Sequence, residues 1–319
     1  MPSPTSSSAV DVTAVMCTRN RSHSIGQAVK TVLANDYPSF DMIVVDQSTD
    51  DSTGEVLRPI AAADPRLTYL HVTEAGLSRA YNTGIKATTG ETLVFTDDDC
   101  VVAADWITTI VDAFAAEPDG DLLYGQVVPF EEGEGFVLTP MITIDQPSRM
   151  AKGEGFKVFG MGANFAARRR LFDKVGYFDE VLGGGGPLKS SQDFDLVYRV
   201  YQGGAVTLLR PEVIIRHDGR RESQDWPALL RAYGYGDGAF YTKHVRCRDP
   251  YALWLFTKQM VRMVGKVGAK TVLRRQPWEQ HYVSGVVAGV RGSFGWNVDR
   301  RTRLYTTQKN TQRKVAARG

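Results

Sequence analysis

The 319-residue sequence predicts an α/β fold: a parallel sheet flanked by helices, followed by a basic, mainly helical C-terminal extension. Three observations predict it. From Val12 to Asp99, short apolar runs rich in β-formers alternate with amphipathic stretches of helical period. Two of those runs end on aspartates, at Asp46 and at Asp97. Ligands of open α/β sheets bind at such carboxyl ends of strands. Beyond Trp226 the strand pattern fades and cations accumulate.

Composition narrows the function classes. Hydrophobic content of 43% with 23% charged residues is that of an ordinary globular protein, and the length allows one large domain or two. A net charge of +2 does not argue for nucleic acid. Cys17, Cys100 and Cys247 are odd in number and lack C-x-x-C spacing, which argues against a disulfide framework or a zinc site and suits a reducing compartment. The first residues, Met1-Pro-Ser-Pro-Thr-Ser-Ser-Ser8, lack the apolar core of a signal peptide and predict a disordered tail over 1–9. No apolar run reaches the length of a membrane span. The expectation is a cytoplasmic protein.

In order, residues 12–18 form a first strand, apolar almost throughout and so buried on both faces. Ser24-x-x-Gln27 has the form of a capping box, and Ile25, Ala28, Val29, Val32 and Leu33 make one helical face. A strand over 42–46, a helix over 54–63, a strand over 67–72 and a helix over 77–88 follow, and the acidic strand is the fourth. Alternation of this kind implies right-handed crossovers in a parallel sheet. A Gly-rich phosphate loop would follow the first strand of a dinucleotide-binding domain, but Cys17-Thr-Arg-Asn-Arg-Ser22 stands there. A helix from Trp106 to about 116, a strand over 122–128 and an irregular Gly- and Glu-rich loop over 131–155 come next. Four glycines at 183–186 predict a mobile loop, 190–199 opens a helix with Asp193 in its first turn, and two strands over 205–209 and 212–216 deliver His217.

Asp97, Asp98 and Asp99 raise one another's pKa unless a cation offsets them. Hard divalent ions bind through one or two carboxylates together with substrate phosphates. A metal–diphosphate site and a solvated acidic turn both fit the triplet taken alone.

The pieces together resemble the family 2 glycosyltransferases with the GT-A fold, over roughly 12–245. The resemblance rests on Val44-Val-Asp46, Gly76-Leu-Ser-Arg-Ala-Tyr-Asn-Thr-Gly84, Phe95-Thr-Asp-Asp-Asp99, Gly162-Ala-Asn164, Gly176-Tyr-Phe-Asp-Glu180, Gln192-Asp-Phe-Asp195 and the strand ending in His217. It implies a Rossmann-like mixed sheet flanked by helices, a catalytic domain over 10–225 and an extension over 226–319. Within the domain, 10–100 would bind nucleotide and 101–225 the acceptor. It also implies an inverting, non-processive transfer from a nucleotide-diphosphate sugar that depends on Mn²⁺ or Mg²⁺. Asp193 would be the catalytic base. Asp99 would bind metal with Asp97 and His217. Thr18, Arg19, Asp46, Arg79, Asn82, Asp97, Asp98, Gly162, Ala163 and Asn164 would line the donor site. The acceptor would be a carbohydrate, a lipid-linked molecule or a small molecule.

Two alternatives are a catalytically silent nucleotide-sugar-binding protein and a sugar nucleotidyltransferase. Gln192, where the family carries Glu, and Tyr81, where it often carries Arg, favour the first of them. In the C-terminal extension, residues 251–275 form a helical stretch with Lys258, Arg262, Lys266, Lys270 and Arg274 at four-residue spacing and no acid. That stretch is open to packing on the core, on a partner subunit or on the inner face of a membrane.

Overall fold

The computed structural model describes residues 11–130, 141–156, 160–218 and 223–308. The expected tail over 1–9 and the last residues, 309–319, lie outside these. Strands β1 (Val12–Thr18), β2 (Phe40–Asp46) and β3 (Leu67–His71) alternate with helices α1 (Ser22–Leu33), α2 (Ser52–Ala63) and α3 (Leu77–Lys86), and β4 (Thr92–Asp97) follows. These four strands are parallel in the order β3-β2-β1-β4. Alternate residues of β1 serve two cores: Ala14 and Met16 pack on α1 and α2, while Val15 and Cys17 pack on α3. Helix α1 buries Ile25, Ala28, Val29, Val32 and Leu33, as its period requires. The capping box does not form. The helix starts two residues earlier, at Ser22, without a side-chain cap, and the Ser24 hydroxyl turns back to the carbonyl of Arg21.

The second half makes the sheet mixed. After β5 (Cys100–Val102) and α4 (Trp106–Ala116) come β6 (Gly120–Pro129), β7 (Ser148–Met150), β8 (Asn164–Arg168), α5 (Arg170–Val175), α6 (Gln192–Gln202) and β9 (Val206–His217). Strand β8 runs antiparallel between β4 and β6, and β9 lies beside β6 with β5 and β7 paired to it.

Three expectations are corrected here. Residues 205–209 and 212–216 belong to one strand whose register against β6 slips after Arg210, where Pro211 has no N–H for the ladder. The expected irregular loop contains β7, too short to show a period, while 131–140 lie outside the described residues. The glycine run is tied by hydrogen bonds: Gly183 N–H donates to the Ser190 carbonyl, and the Gly184 carbonyl accepts from Leu77 at the start of α3.

Three long helices follow, α7 (Trp226–Arg246), α8 (Pro250–Val272) and α9 (Glu279–Ser293), then a hairpin of β10 (Trp296–Asp299) and β11 (Leu304–Gln308). Helices α7 and α9 meet through glycines. A Cβ on Gly234 would stand 2.1 Å from the Tyr282 carbonyl oxygen, and one on Gly289 would stand 1.9 Å from that of Tyr235. Only glycine lets the two backbones approach so closely. On β11, Tyr305 is buried against Val181, Leu182 and Ala239, so the region after Asp299 is in part an ordered strand.

Candidate active site

Parallel pairing sets the ends of β1, β2 and β4 side by side, with Thr18 beside Asp46 and Cys17 beside Asp97. Asp46 is buried. Its Oδ1 accepts from the Ser48 amide at 2.8 Å and its Oδ2 from the Tyr69 hydroxyl at 2.9 Å. Burial and this carboxylate push the Tyr69 phenol up to about 12.

The aspartate triplet separates into three environments. The Thr18 hydroxyl donates to Asp98 at 2.6 Å. Arg21 donates to Asp99 Oδ2 at 2.5 Å and stands 3.8 Å from Asp98. Pairing of β5 with β9 sets Cys100 opposite His217, whose Nε2 lies 3.2 Å from Asp99 Oδ1. Asp97 turns toward the Tyr81 hydroxyl at 3.5 Å. Burial raises Asp97 to about 7, with Asp99 and Asp98 adding to it, and burial raises Asp98 to about 6. Asp99 is also desolvated, but His217 and Arg21 outweigh that and hold it at about 2.

Asp99, Cys100 and His217 offer ligand atoms all within 4.8 Å of one another, the single such group among the described residues. A carboxylate oxygen and an imidazole nitrogen suit a divalent ion such as Mn²⁺. Asp97, also expected as a ligand, is not brought into that group.

Asp193 sits in the first turn of α6, after Ser191 in a left-handed conformation (φ 69°). Burial raises its carboxyl, and the amides of Phe194 and Gly162, which donate to it, offset part of the rise. A Cβ on Gly162 would lie 3.8 Å from the Tyr81 hydroxyl and 3.9 Å from Asp193 Oδ2. Gly162 thus borders both Asp193 and the Tyr81 hydroxyl that faces Asp97, and the Tyr81 ring is buried against Phe95, Phe165 and Phe178.

The remaining expected donor residues divide. Arg19 and Thr18 line a cavity of about 290 Å³ with Arg21, Gln47, Asp98 and Gly184. Gln47 fastens its floor by donating to the Glu74 and Gly76 carbonyls and accepting from the Gly76 amide. Arg79 is partly exposed and pairs with Glu74 and Glu180. Asn82 is spent on the Phe178 backbone and Glu180. Ala163 is in the core, and Asn164 accepts from Trp106 while donating to the carbonyls of Gln126 and Val213. Of that trio, Gly162 alone stands next to Asp193.

Residues 13–176 match the family described as glycosyl transferase family 2, which is about half of the chain. The chain belongs to this family. Among curated relatives, the pre-mycofactocin glycosyltransferase of Mycobacterium tuberculosis is 25% identical over 252 residues, 76% of this chain and 50% of the relative. The glucosyl-dolichyl phosphate glucuronosyltransferase of Haloferax volcanii is 24% identical over 244 residues, 73% of this chain and 76% of its own length. The chain spans half of the M. tuberculosis protein, and 18% of glycosyltransferase GlyA of Streptococcus pneumoniae, which is 26% identical over 124 residues.

Solved structures show the same fold. A mannosyltransferase of Pyrobaculum calidifontis in complex with GDP-Man and Mn²⁺ superposes with a TM-score of 0.59 at 16% identity, over 90% of this chain and 88% of its own. S. aureus TarS 1–349 in complex with UDP gives 0.52 at 18% identity, over 71% and 65%. The family 2 glycosyltransferase described here therefore has the GT-A fold.

Reading the sequence missed Arg21, Gln47 and Cys100. Arg21 stands two residues beyond Arg19 in the loop after β1, and only the fold shows that its partner is Asp99. The signal available was an arginine opposite three unneutralised carboxylates.

Proposed function

We propose that this protein is a metal-dependent, inverting, non-processive glycosyltransferase that uses a nucleotide-diphosphate sugar. One observation carries the proposal: the strand-end carboxylates and Asp193 come from opposite halves of the chain, yet Gly162 borders both Asp193 and the Tyr81 hydroxyl that faces Asp97. A single displacement needs this separation, because the base must face the acceptor while the diphosphate departs from the other side.

The 290 Å³ cavity would take the nucleoside diphosphate, with Arg19 and Arg21 beside its negative charge. Asp99 and His217 would hold a divalent ion, Mn²⁺ or Mg²⁺, which when bound supplies neutralisation of the leaving diphosphate. The acceptor oxygen attacks the anomeric carbon, its proton passes to Asp193, and the bond to the diphosphate breaks. Gln192 removes one carboxylate next to the base, and burial of Asp193 supplies the raised affinity for a proton instead. The three free cysteines support a place in the reducing cytoplasm.

Acceptor space lies on the far side of Asp193. A chamber of about 370 Å³ is lined by Asp193, Phe194, Leu230, Asp237, Met263 and Tyr282. A second, of about 390 Å³, shares Phe194, Asp237 and Gln259 with it. These walls come from α6 to α9, so the helical extension belongs with the acceptor site in this reading.

A panel of UDP, GDP, dTDP, ADP and CDP, each with and without Mn²⁺, tests the donor site by thermal shift, since ligand bound to the native state raises its stability. The expected result is stabilisation by one diphosphate only with metal, abolished in Asp99→Ala. A protein that responds to none of them is not a nucleotide-sugar enzyme.

A further inference from the structure

Helix α8 runs for 23 residues, yet Ala252 and Leu255 are its only buried ones. Its start is firmly set, because Asp249 accepts from the amides of Tyr251 and Ala252. Its inward side carries Ala252, Leu255, Gln259 and Met263, the last two lining the chambers next to Asp193. At 100° per residue the opposite side falls on Leu253, Trp254, Val261, Val264 and Val272. All five are exposed, from 50% at Leu253 to 82% at Val272. Lys258 and Arg262 run along one flank, between the inward and outward sides, and the Lys258 ammonium sits over the Trp254 ring at 5.1 Å. No acid occurs from 250 to 275.

A helix that merely covers a core shows water its charges. This one shows water its apolar strip and carries its cations at the side. That is the arrangement of a helix lying in a membrane interface, with an aromatic and aliphatic face sunk between headgroups and basic residues at their level. A second copy of α8 on the same strip would bring two acid-free basic flanks together, which repel. Charge complementarity instead selects an anionic surface.

We propose that α8 docks this protein on an anionic lipid bilayer through Leu253, Trp254, Val261 and Val264, with Lys258 and Arg262 on the headgroups. Docked so, the chambers beside Asp193 lie next to the bilayer, because Lys258, Gln259 and Arg262 of the same helix line one of them. The acceptor would then be a hydroxyl that the membrane presents, on a lipid-linked molecule. This consequence rests on the transferase reading, but docking itself does not.

The test is co-sedimentation of the full chain with vesicles of phosphatidylcholine alone or mixed with phosphatidylglycerol. Binding is expected with phosphatidylglycerol, to fall at high salt, and to drop roughly tenfold or more when Lys258 and Arg262 are both changed to Gln. The double variant L253Q/W254Q should lose vesicle binding while keeping its melting temperature and its thermal response to nucleoside diphosphate. Failure to bind any vesicle, indifference to lipid charge, or a dimer in solution that the double variant dissolves would each overturn the proposal. Vesicle binding without any diphosphate response would leave docking standing and remove the transferase reading. The reverse result would remove docking alone.

Discussion

At the scale of single residues, the site works by placing carboxylates in unequal surroundings. Asp99 is held ionised by Arg21 and His217, whereas Asp97, a short way along the same turn, is raised to about 7 by burial. Asp193 is raised by burial with no cation among the causes. With Asp193 as the proposed base, which acts in its ionised form, transfer must fail as pH drops through its raised pKa. The acid limb of kcat/KM is therefore expected above the ordinary carboxylate range, with activity kept on the alkaline side. Asp193→Asn should lower kcat about 100-fold or more while leaving diphosphate binding intact. A variant that retained full transfer would show that another group takes the proton. The sequence placed Asp193 in a first helical turn. It did not show that Gly162 stands against it, since that contact joins two segments far apart in the chain.

At the scale of elements, the same glycine substitution should act in opposite directions on neighbouring helices. Gly289 on α9 has the Tyr235 carbonyl where its Cβ would go, so Gly289→Ala forces α7 and α9 apart, at a cost of about 1–3 kcal/mol. Gly268 on α8 has nothing within 4 Å, and there Gly268→Ala should stabilise by up to about 1 kcal/mol through helix propensity. Chemical denaturation of the two variants checks both signs. The spacing Gly234-x-x-x-Gly238 and Gly285-x-x-x-Gly289 stands in the sequence without naming the helix that each pair meets. Its use became apparent only when the two helices were seen to cross.

Across the whole molecule, one buried cation joins α6 to the C-terminal extension. Lys243 of α7, fully buried, donates to Asp179 and to Asp195, each at 2.6 Å. Asp195 also takes Arg199 and His244, and Asp179 also accepts from the Tyr305 amide on β11. Desolvation alone would raise Asp195, but Lys243 and Arg199 outweigh it and keep the carboxyl well below its usual range. Burial likewise keeps His244 low, at about 4. Lys243→Met would remove the cation shared by two buried carboxylates and leave Asp195 with Arg199, and should destabilise by about 3–5 kcal/mol in thermal or urea unfolding. A loss below about 1 kcal/mol would mean that the extension is not locked to the core by this ion cluster.

The sequence by itself determined what depends on short-range period and strand endings. That includes the strands and helices from Val12 to Asp97 and helix α4, the inward face of α1, and the acids at the ends of β2 and β4. Neighbours a few residues apart decide such features, so one chain carries them openly. Tertiary structure alone decided the rest. It inserted β8 between β4 and β6 despite its weak alanine-rich strand signal, and it gave Asp99 to Arg21 rather than to Asp97's surroundings. It also turned Leu253 and Val264 of α8 to solvent while Leu255 of the same helix is buried. Period shows that a helix has an apolar side. Which side meets a core depends on segments far away in the chain, whose positions are set only when the sheet and helices pack together.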